Sequence, residues 1–167
     1  GFVLARLQRV VESFQVLTAA LRLAEDRQNE NRFWNIRRQV VKDEEFRIRA
    51  LAHIHNVLGL LMRDVDRIDE AIFHYTESRK LWETIGNATN VGTISANLAV
   101  VYWKTLNEPD SALLFARKAA SIFLQEGDEN ILGGVYTIIG ASYAAKHNDS
   151  LAVVYLYNAI ALNQKYD

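Results

Sequence analysis

A short pattern of residues recurs three times along this chain of 167 residues. In each copy an aliphatic residue precedes a small residue, and a methionine or a tyrosine follows three positions after the small one. The copies read Leu58-Gly59-x-x-Met62, Leu98-Ala99-x-x-Tyr102 and Ile139-Gly140-x-x-Tyr143. The small residue returns after 40 and then 41 positions. A period of this length predicts a chain built from stacked copies of one supersecondary unit.

Two further small residues follow each copy at nearly constant distances. The first comes 12, 13 and 12 positions after the small residue of the motif, and the second comes seven positions later. The first set is Ala71, Ala112 and Ala152, and the second set is Ser78, Ala119 and Ala159. Small side chains allow two helices to approach closely, whereas larger ones hold them apart. The spacing therefore predicts two helices per copy that contact each other at these residues.

Helix-ending residues mark the ends of the copies and the turns within them. Gly86 and Gly127 stand where a helix C-terminus uses a left-handed residue, and Pro109 stands where a first helical turn tolerates a missing N–H. Apolar residues recur every three to four positions, which favours helix over strand. Six helices are predicted, near residues 47–63, 67–85, 89–105, 109–126, 130–146 and 149–165.

This combination of motifs resembles the tetratricopeptide repeat, a helix–turn–helix unit with a Leu-Gly-x-x-Tyr motif and a small residue in its second helix. The resemblance covers about residues 47–167. It implies an all-α fold, a right-handed α-solenoid of antiparallel helix pairs. The period is longer than the roughly 34 residues of the common repeat. Extended repeats of this kind are similar to those of bacterial sensor kinases, transcriptional regulators and cytoskeletal adaptor proteins.

The predicted organisation is one continuous domain with three clear repeats after a less regular segment. Residues 1–46 are interpreted as a degenerate first repeat or a pair of capping helices. Val3–Ala24 shows helical apolar spacing, and Phe33–Val41 suggests a second helix. The three repeats are assigned to residues 47–86, 87–127 and 128–167.

Composition narrows the classes of function. A formal net charge of −1 at pH 7 lacks the positive field that attracts phosphates, so direct nucleic-acid binding is not expected. The absence of cysteine excludes disulfides, thiolate catalysis and cysteine-ligated metals. The most apolar stretch, residues 131–145, is shorter than the roughly 20 residues of a membrane span, so no membrane insertion is expected. A cytoplasmic location is predicted, or a periplasmic one if the chain derives from a sensor.

Motifs for catalysis or for cofactor binding are missing from the sequence. It contains no nucleophile elbow, phosphate-binding loop, dinucleotide-binding glycine pattern or zinc-protease helix. Glu70 and His74 are four positions apart, so they can share a helix face and bind a metal, but no third ligand is evident. His53 and His55 lie two positions apart on one helix and cannot face a single site. We therefore expect a non-enzymatic protein with no catalytic residue, metal or cofactor.

The resemblance also implies a binding groove lined by the first helix of each pair. An asparagine amide can donate to and accept from an extended peptide backbone, and tryptophan is enriched among residues that dominate interface energies. Asn56, Asn97 and Trp103 are the leading candidates, but Trp103 alternatively packs between repeats and Asn56 alternatively bonds its own scaffold. The groove positions are His53, Asn56, Leu60 and Arg63 in the first copy, Thr93, Asn97, Val100, Trp103 and Lys104 in the second, and Thr137 and Ala141 in the third.

One binding mode of the family is not expected here. Family members that clamp the C-terminal carboxylate of chaperones use lysine, arginine and asparagine at five groove positions. The matching residues of this chain are Asn56, Leu60, Asn97, Gly134 and Ile138, and only Asn97 agrees. Without the cations, no side chain at these positions neutralises a carboxylate.

The last predicted helix is apolar on almost every side between residues 151 and 162. A helix of this kind is normally buried on more than one face, whereas a terminal repeat needs a polar outer face. We expect this helix to pack on a further domain, on the N-terminal segment of a second copy, or on the same helix of a second copy in a homodimer.

The preferred hypothesis is a protein–protein interaction or sensor module of a larger regulatory protein, with a peptide or partner segment bound in the groove. Two alternatives stay open. One is a small-molecule-binding or enzyme-associated helical domain, which predicts a bound metabolite or metal. The other is a structural oligomerisation spacer, which predicts a large apolar contact and no ligand.

Overall fold

The computed structural model describes residues 2–26 and 44–166, and every regular element within these ranges is a helix. The chain divides into two compact units, Gly1–Ile85 and Gly86–Asp167. In the first unit α1 spans Phe2–Glu25, α2 spans Glu44–Asp64 and α3 spans Ile68–Thr84. In the second unit α4 spans Ala88–Val100, α5 spans Pro109–Glu126, α6 spans Leu132–Ala145 and α7 spans Asp149–Tyr166. The predicted all-α class is confirmed, and the six predicted helices are found within a few residues of their predicted bounds.

In the first unit α2 and α3 are joined by a tight turn and pack against each other as an antiparallel pair. Gly59 lies directly on the ring of Tyr75, because a Cβ on Gly59 would be 2.7 Å from Cδ1 of that ring. The hydroxyl of Ser78 donates a hydrogen bond to the backbone carbonyl of Ala52 at 2.8 Å. The small residues predicted for this contact therefore lie where the two helices are closest.

The N-terminal helix α1 packs against α2 within the same unit. It confirms the helix predicted over residues 3–24. The second helix predicted for this segment, over residues 33–41, lies outside the described residues. The interpretation of residues 1–46 as a degenerate repeat or capping pair therefore stays a prediction, as do the repeat boundaries and the single continuous domain.

In the second unit the same type of contact recurs in both helix pairs. Gly140 of α6 lies on α7, because a Cβ there would be 2.7 Å from Cγ of Leu156 and 3.1 Å from the carbonyl oxygen of Ala152. Ala99 of α4 and Ala112 of α5 are fully buried. The core between α5 and α6 also contains Ala116, Ala119, Ala120, Phe123, Leu132, Val135 and Ile139.

The turns confirm the predicted helix-ending residues. Gly86 and Gly127 have φ angles of 67° and 72°, the left-handed conformation that glycine adopts without a steric penalty. Each turn inside a pair contains a further left-handed residue of a type that tolerates this conformation. These residues are Asp66, Asn107 and His147, with φ angles of 62°, 53° and 56°. Pro109 occupies the first turn of α5, as predicted.

Two local features differ from the predicted helices. The helix predicted over residues 89–105 changes at Val101–Thr105 into a π-helical turn, which the next subsection describes. The helix predicted over residues 130–146 starts with a separate 3₁₀ turn, Glu129–Ile131, before α6 begins. Within the described ranges, no helix has both the length and the apolar character required to cross a lipid bilayer.

Candidate functional site

A cavity of about 390 Å³ opens between α4 and α6 in the second unit. Its wall is mostly apolar, with an amide, an ammonium and a hydroxyl as the polar groups. Such a volume accommodates a bulky side chain together with adjoining backbone, and it lies within the range of small-ligand pockets. The lining residues are Ala96, Asn97, Val100, Trp103 and Lys104 from α4 and its π-helical end, Ile131 from the 3₁₀ turn, and Gly134, Val135, Thr137 and Ile138 from α6.

The register of α4 explains why one of its faces lines the cavity. Residues three or four positions apart lie on the same side of a helix, and Asn97, Val100 and Trp103 follow this spacing. The neighbouring residues Leu98 and Ala99 are buried and belong to the opposite side, which packs into the core. One helix therefore supplies both a core face and a cavity face.

A π-helical turn carries Trp103 and Lys104 at the end of α4. In this turn the backbone N–H of Leu106 donates to the carbonyl of Val101, five positions earlier, at 3.1 Å. Turns of this type are rare, and they occur frequently at functional sites. The wider turn places a large aromatic ring and a cation together at one end of the cavity.

The cation at this end is Lys104. Its Nζ lies 5.2 Å from the centroid of the Trp103 ring, a cation–π distance. Among the described residues, no carboxylate forms an ion pair with Lys104. Its ammonium group is exposed and therefore available to a carboxylate of a bound partner.

The structure places five of the eleven predicted groove residues at this cavity, namely Asn97, Val100, Trp103, Lys104 and Thr137. Two others of the same unit do not line it. Thr93 is half-buried, and its hydroxyl donates to the carbonyl of Thr89 at 3.1 Å, while Ala141 is half-buried one turn beyond Thr137. Whether any of these residues binds a partner stays a prediction.

The other four predicted groove residues lie on α2, in the first unit. His53 is exposed and packs edge-on against the Trp82 ring, with ring centroids 4.8 Å apart. Arg63 forms an ion pair with the neighbouring Asp64 at 2.9 Å. Asn56 and Leu60 are half-buried.

The two leading asparagines are already engaged within the chain. Asn56 and Asn97 each have an interaction partner among the residues of this protein. An amide has several hydrogen-bonding positions, so an engaged asparagine still offers some of them. The binding capacity of the cavity therefore depends mainly on the tryptophan, the lysine and the apolar wall.

Sequence reasoning missed half of the cavity wall. Glycine and aliphatic residues carry no recognisable binding chemistry, so only their position on the cavity face of α4 or α6 could have identified them. Gly134 and Ile138 occupy two of the positions at which some family members bind a C-terminal carboxylate. In this chain Gly134 leaves open space in the cavity, and Ile138 contributes an apolar surface. The missed residues are Ala96, Ile131, Gly134, Val135 and Ile138.

The metal site considered for Glu70 and His74 is not formed in the described structure. Glu70 forms an ion pair with Arg67, and the Nδ1 atom of His74 lies 3.0 Å from Nδ1 of His55. Within the described residues, no three histidine, aspartate or glutamate side chains are grouped so that they could hold a metal ion. The pairing of His55 with His74 was not predicted, because the two residues are on different helices.

Comparisons with known proteins identify the repeat type. Residues 50–125 match a family model described as tetratricopeptide repeat. A similar solved structure is the crystal structure of BtubC (BKLC) from P. vanneervenii, with a TM-score of 0.76 and 18% sequence identity. The match covers 96% of this chain and 59% of that one, and at this identity it establishes the fold alone. No curated protein matches the sequence.

Proposed function

Since residues 50–125 belong to the tetratricopeptide repeat family, whose members generally bind other proteins, we propose that this chain is a non-enzymatic interaction module. It binds an extended segment of a partner protein in the cavity between α4 and α6. The observation that carries this proposal is the apolar cavity with Trp103 and Lys104 at one end. Large aromatic side chains in partly desolvated pockets contribute most of the free energy at many interfaces.

The composition of the cavity indicates the chemistry of the segment. Its apolar wall, which includes Val100, Val135 and Ile138, favours a bulky leucine, phenylalanine or tryptophan side chain. The ammonium of Lys104 favours an aspartate or glutamate next to that side chain. A basic segment would bring a like charge to Lys104 and is disfavoured.

We expect the full chain to bind short labelled peptides that have a central phenylalanine or tryptophan flanked by aspartates. Fluorescence anisotropy measures the dissociation constant of each peptide. Gly134→Leu places a side chain in the open space of the cavity, where nothing lies within 4 Å of a Cβ. It should weaken binding at least about tenfold, as expected when a central contact of an interface is blocked.

Gly134→Ala is the matched control, because a methyl group occupies little of the cavity and should leave binding unchanged. Lys104→Glu should weaken binding of the aspartate-flanked peptides about tenfold and favour otherwise identical lysine-flanked peptides. Equal affinity of the wild-type chain for both peptide sets, or full binding by Gly134→Leu, would contradict the proposed site. A metabolite held tightly in native mass spectra would instead favour a small-molecule receptor.

A second surface suited to contact lies on α7. Only Ala152 and Ala159 of this helix are buried, while Val153, Tyr157 and Ile160 are exposed, Tyr157 by 73%. The equivalent positions of α5, 40 residues earlier, are Leu113, Arg117 and Ala120. Leu113 and Ala120 are buried in the core that α5 shares with α6. We propose that this face of α7 packs against the same helix in a second copy of the chain.

Light scattering over a range of protein concentrations tests this contact. The wild-type chain should form a dimer as the concentration rises, because a C2 contact between uncharged apolar faces is self-complementary. Tyr157→Lys combined with Ile160→Lys should keep the chain monomeric. The control Leu124→Lys changes an exposed leucine of α5 and should leave the dimer intact. A wild-type chain that stays monomeric at high concentration would show that α7 does not mediate self-association.

A further inference from the structure

Two histidines meet at the contact between α2 and α3 in the first unit. Nδ1 of His55 lies 3.0 Å from Nδ1 of His74, and the ring centroids are 5.2 Å apart. His55 is only 8% exposed, His74 is half-buried, and the Phe73 ring lies edge-on to both imidazoles. At this distance one ring donates an N–H and the other accepts it, so only one of the two Nδ1 atoms can carry a proton.

The repeat register shows that this position is a packing contact between the helices of a pair. The residues 81 positions later, in the third copy, are Tyr136 of α6 and Tyr155 of α7. Their rings also meet, with centroids 5.5 Å apart in an edge-on arrangement. The third copy therefore uses two tyrosines where the first copy uses two groups that change charge near neutral pH.

The charged groups that act on the two imidazoles are Glu70 and Glu77, both on α3. Glu70 forms an ion pair with Arg67, and Glu77 forms one with Lys80 at 2.7 Å. Among the described residues, no charged group of α1 acts on either ring, and α2 contributes only His55 itself.

We propose that His55 and His74 form an acid-sensitive contact that holds α2 against α3 near neutral pH and weakens this helix pair in acid. The neutral pair shares one Nδ1–H···Nδ1 hydrogen bond. A first added proton enters at the Nε2 atom of the donor ring and leaves that bond intact. A second added proton has to enter at the accepting Nδ1, which breaks the bond and leaves two cationic rings next to each other.

The direction of the pH dependence follows from the environment of the rings. Burial lowers the pKa of His55 below its ordinary value of 6.5, and burial together with the charge of His55 lowers the pKa of His74. The folded unit therefore binds fewer protons than the unfolded chain as the pH falls below 6.5. The contribution of the two histidines to the free energy of unfolding is complete above this pH. It is lost as the pH falls towards their folded-state pKa values.

Hydrogen exchange of the full chain at about pH 7.5 and about pH 5 measures this effect, with protection factors corrected for intrinsic exchange. Amides of α2 and α3 should lose protection by about tenfold for each unit by which folding lowers a histidine pKa. Amides of α6 and α7 should change much less, because the equivalent contact there is made by tyrosines. Loss of protection that is equal in both helix pairs would overturn the proposal.

Variants assign the effect to the two rings. His55→Tyr combined with His74→Tyr gives the first copy the two tyrosines of the third. This double variant should remove the pH dependence of amide protection in α2 and α3. His147→Asn changes an exposed histidine in a turn and should retain the wild-type behaviour. If the double variant does not fold, His74→Phe at the half-buried position serves instead, and it should reduce the pH dependence. Wild-type pH dependence in either of the variants that alter the pair would overturn the proposal.

Discussion

Phe123→Ala is expected to lower the free energy of unfolding by about 3–5 kcal/mol, the range observed when a fully buried phenylalanine is truncated. Phe123 is 0% exposed and lies in the core formed by α5 and α6. Its ring also packs directly on α4, since a Cβ on Gly92 would be 3.1 Å from ring atoms Cε1 and Cζ. Truncation therefore leaves a cavity between packed helices, which cannot collapse without shifting the helices themselves.

Urea denaturation of the full chain, followed by circular dichroism, measures this loss. Leu124→Ala is the matched control on the adjacent position of α5, because Leu124 is 57% exposed. This substitution should change stability by no more than about 0.5 kcal/mol. Similar losses for Phe123→Ala and Leu124→Ala would show that the core does not lie where the structure places it.

Gly140→Ala is expected to destabilise the chain by about 1–3 kcal/mol, as overpacking of a well-packed contact does. The added Cβ would lie 2.7 Å from Cγ of Leu156 and 3.1 Å from the backbone oxygen of Ala152. Neither atom is the free end of a flexible side chain, so α7 has to move away from α6. The same urea titration measures the effect.

Gly134→Ala should have the opposite sign. Gly134 lies on the same helix, but a Cβ there meets nothing within 4 Å. Alanine is favoured over glycine inside a helix by about 0.5–1 kcal/mol, so the chain should become more stable. If both glycine variants stabilised the chain, or both destabilised it, the close approach of α7 would not explain why a small residue occupies position 140.

The regular spacing of small residues was sufficient to predict the helix pairs. Helix ends and contact points depend on local properties, such as the side-chain volume at Gly59 and Gly140 and the backbone freedom at Gly86 and Gly127. These properties belong to single residues and can be read directly from the sequence. This is why the predicted helices and turns agree closely with the structure.

The π-helical turn was not predicted, although the sequence contains a trace of it. The second small residue follows the first by 13 positions in the second copy and by 12 in the others. Correspondingly, the turn that joins α4 to α5 is closed by the N–H of Glu108, which reaches back six residues to Tyr102, whereas Arg67 and Asn148 in the equivalent turns each reach back five. An extra residue can be accommodated in a loop or in a widened turn, and only the backbone hydrogen bonds decide between them.

The candidate cavity could be predicted only in part. Trp103, Lys104 and Asn97 have side chains with evident binding chemistry, and the resemblance to the tetratricopeptide repeat assigned them to the groove. The opposite wall of the cavity depends on how closely α6 approaches α4 and on the absence of a side chain at Gly134. Those distances arise from packing, so no local pattern in the sequence expresses them.

The sequence by itself determined the type of repeat, the order and bounds of most helices and the small residues at which they meet, because these follow from spacing and side-chain size along one segment. Only the tertiary structure decided that His55 meets His74 and that α4 and α6 enclose a cavity. Residues 19 or more positions apart come together through the packing of whole helices. Their chemistry therefore depends on interhelical distances of a few ångströms that a single segment does not specify.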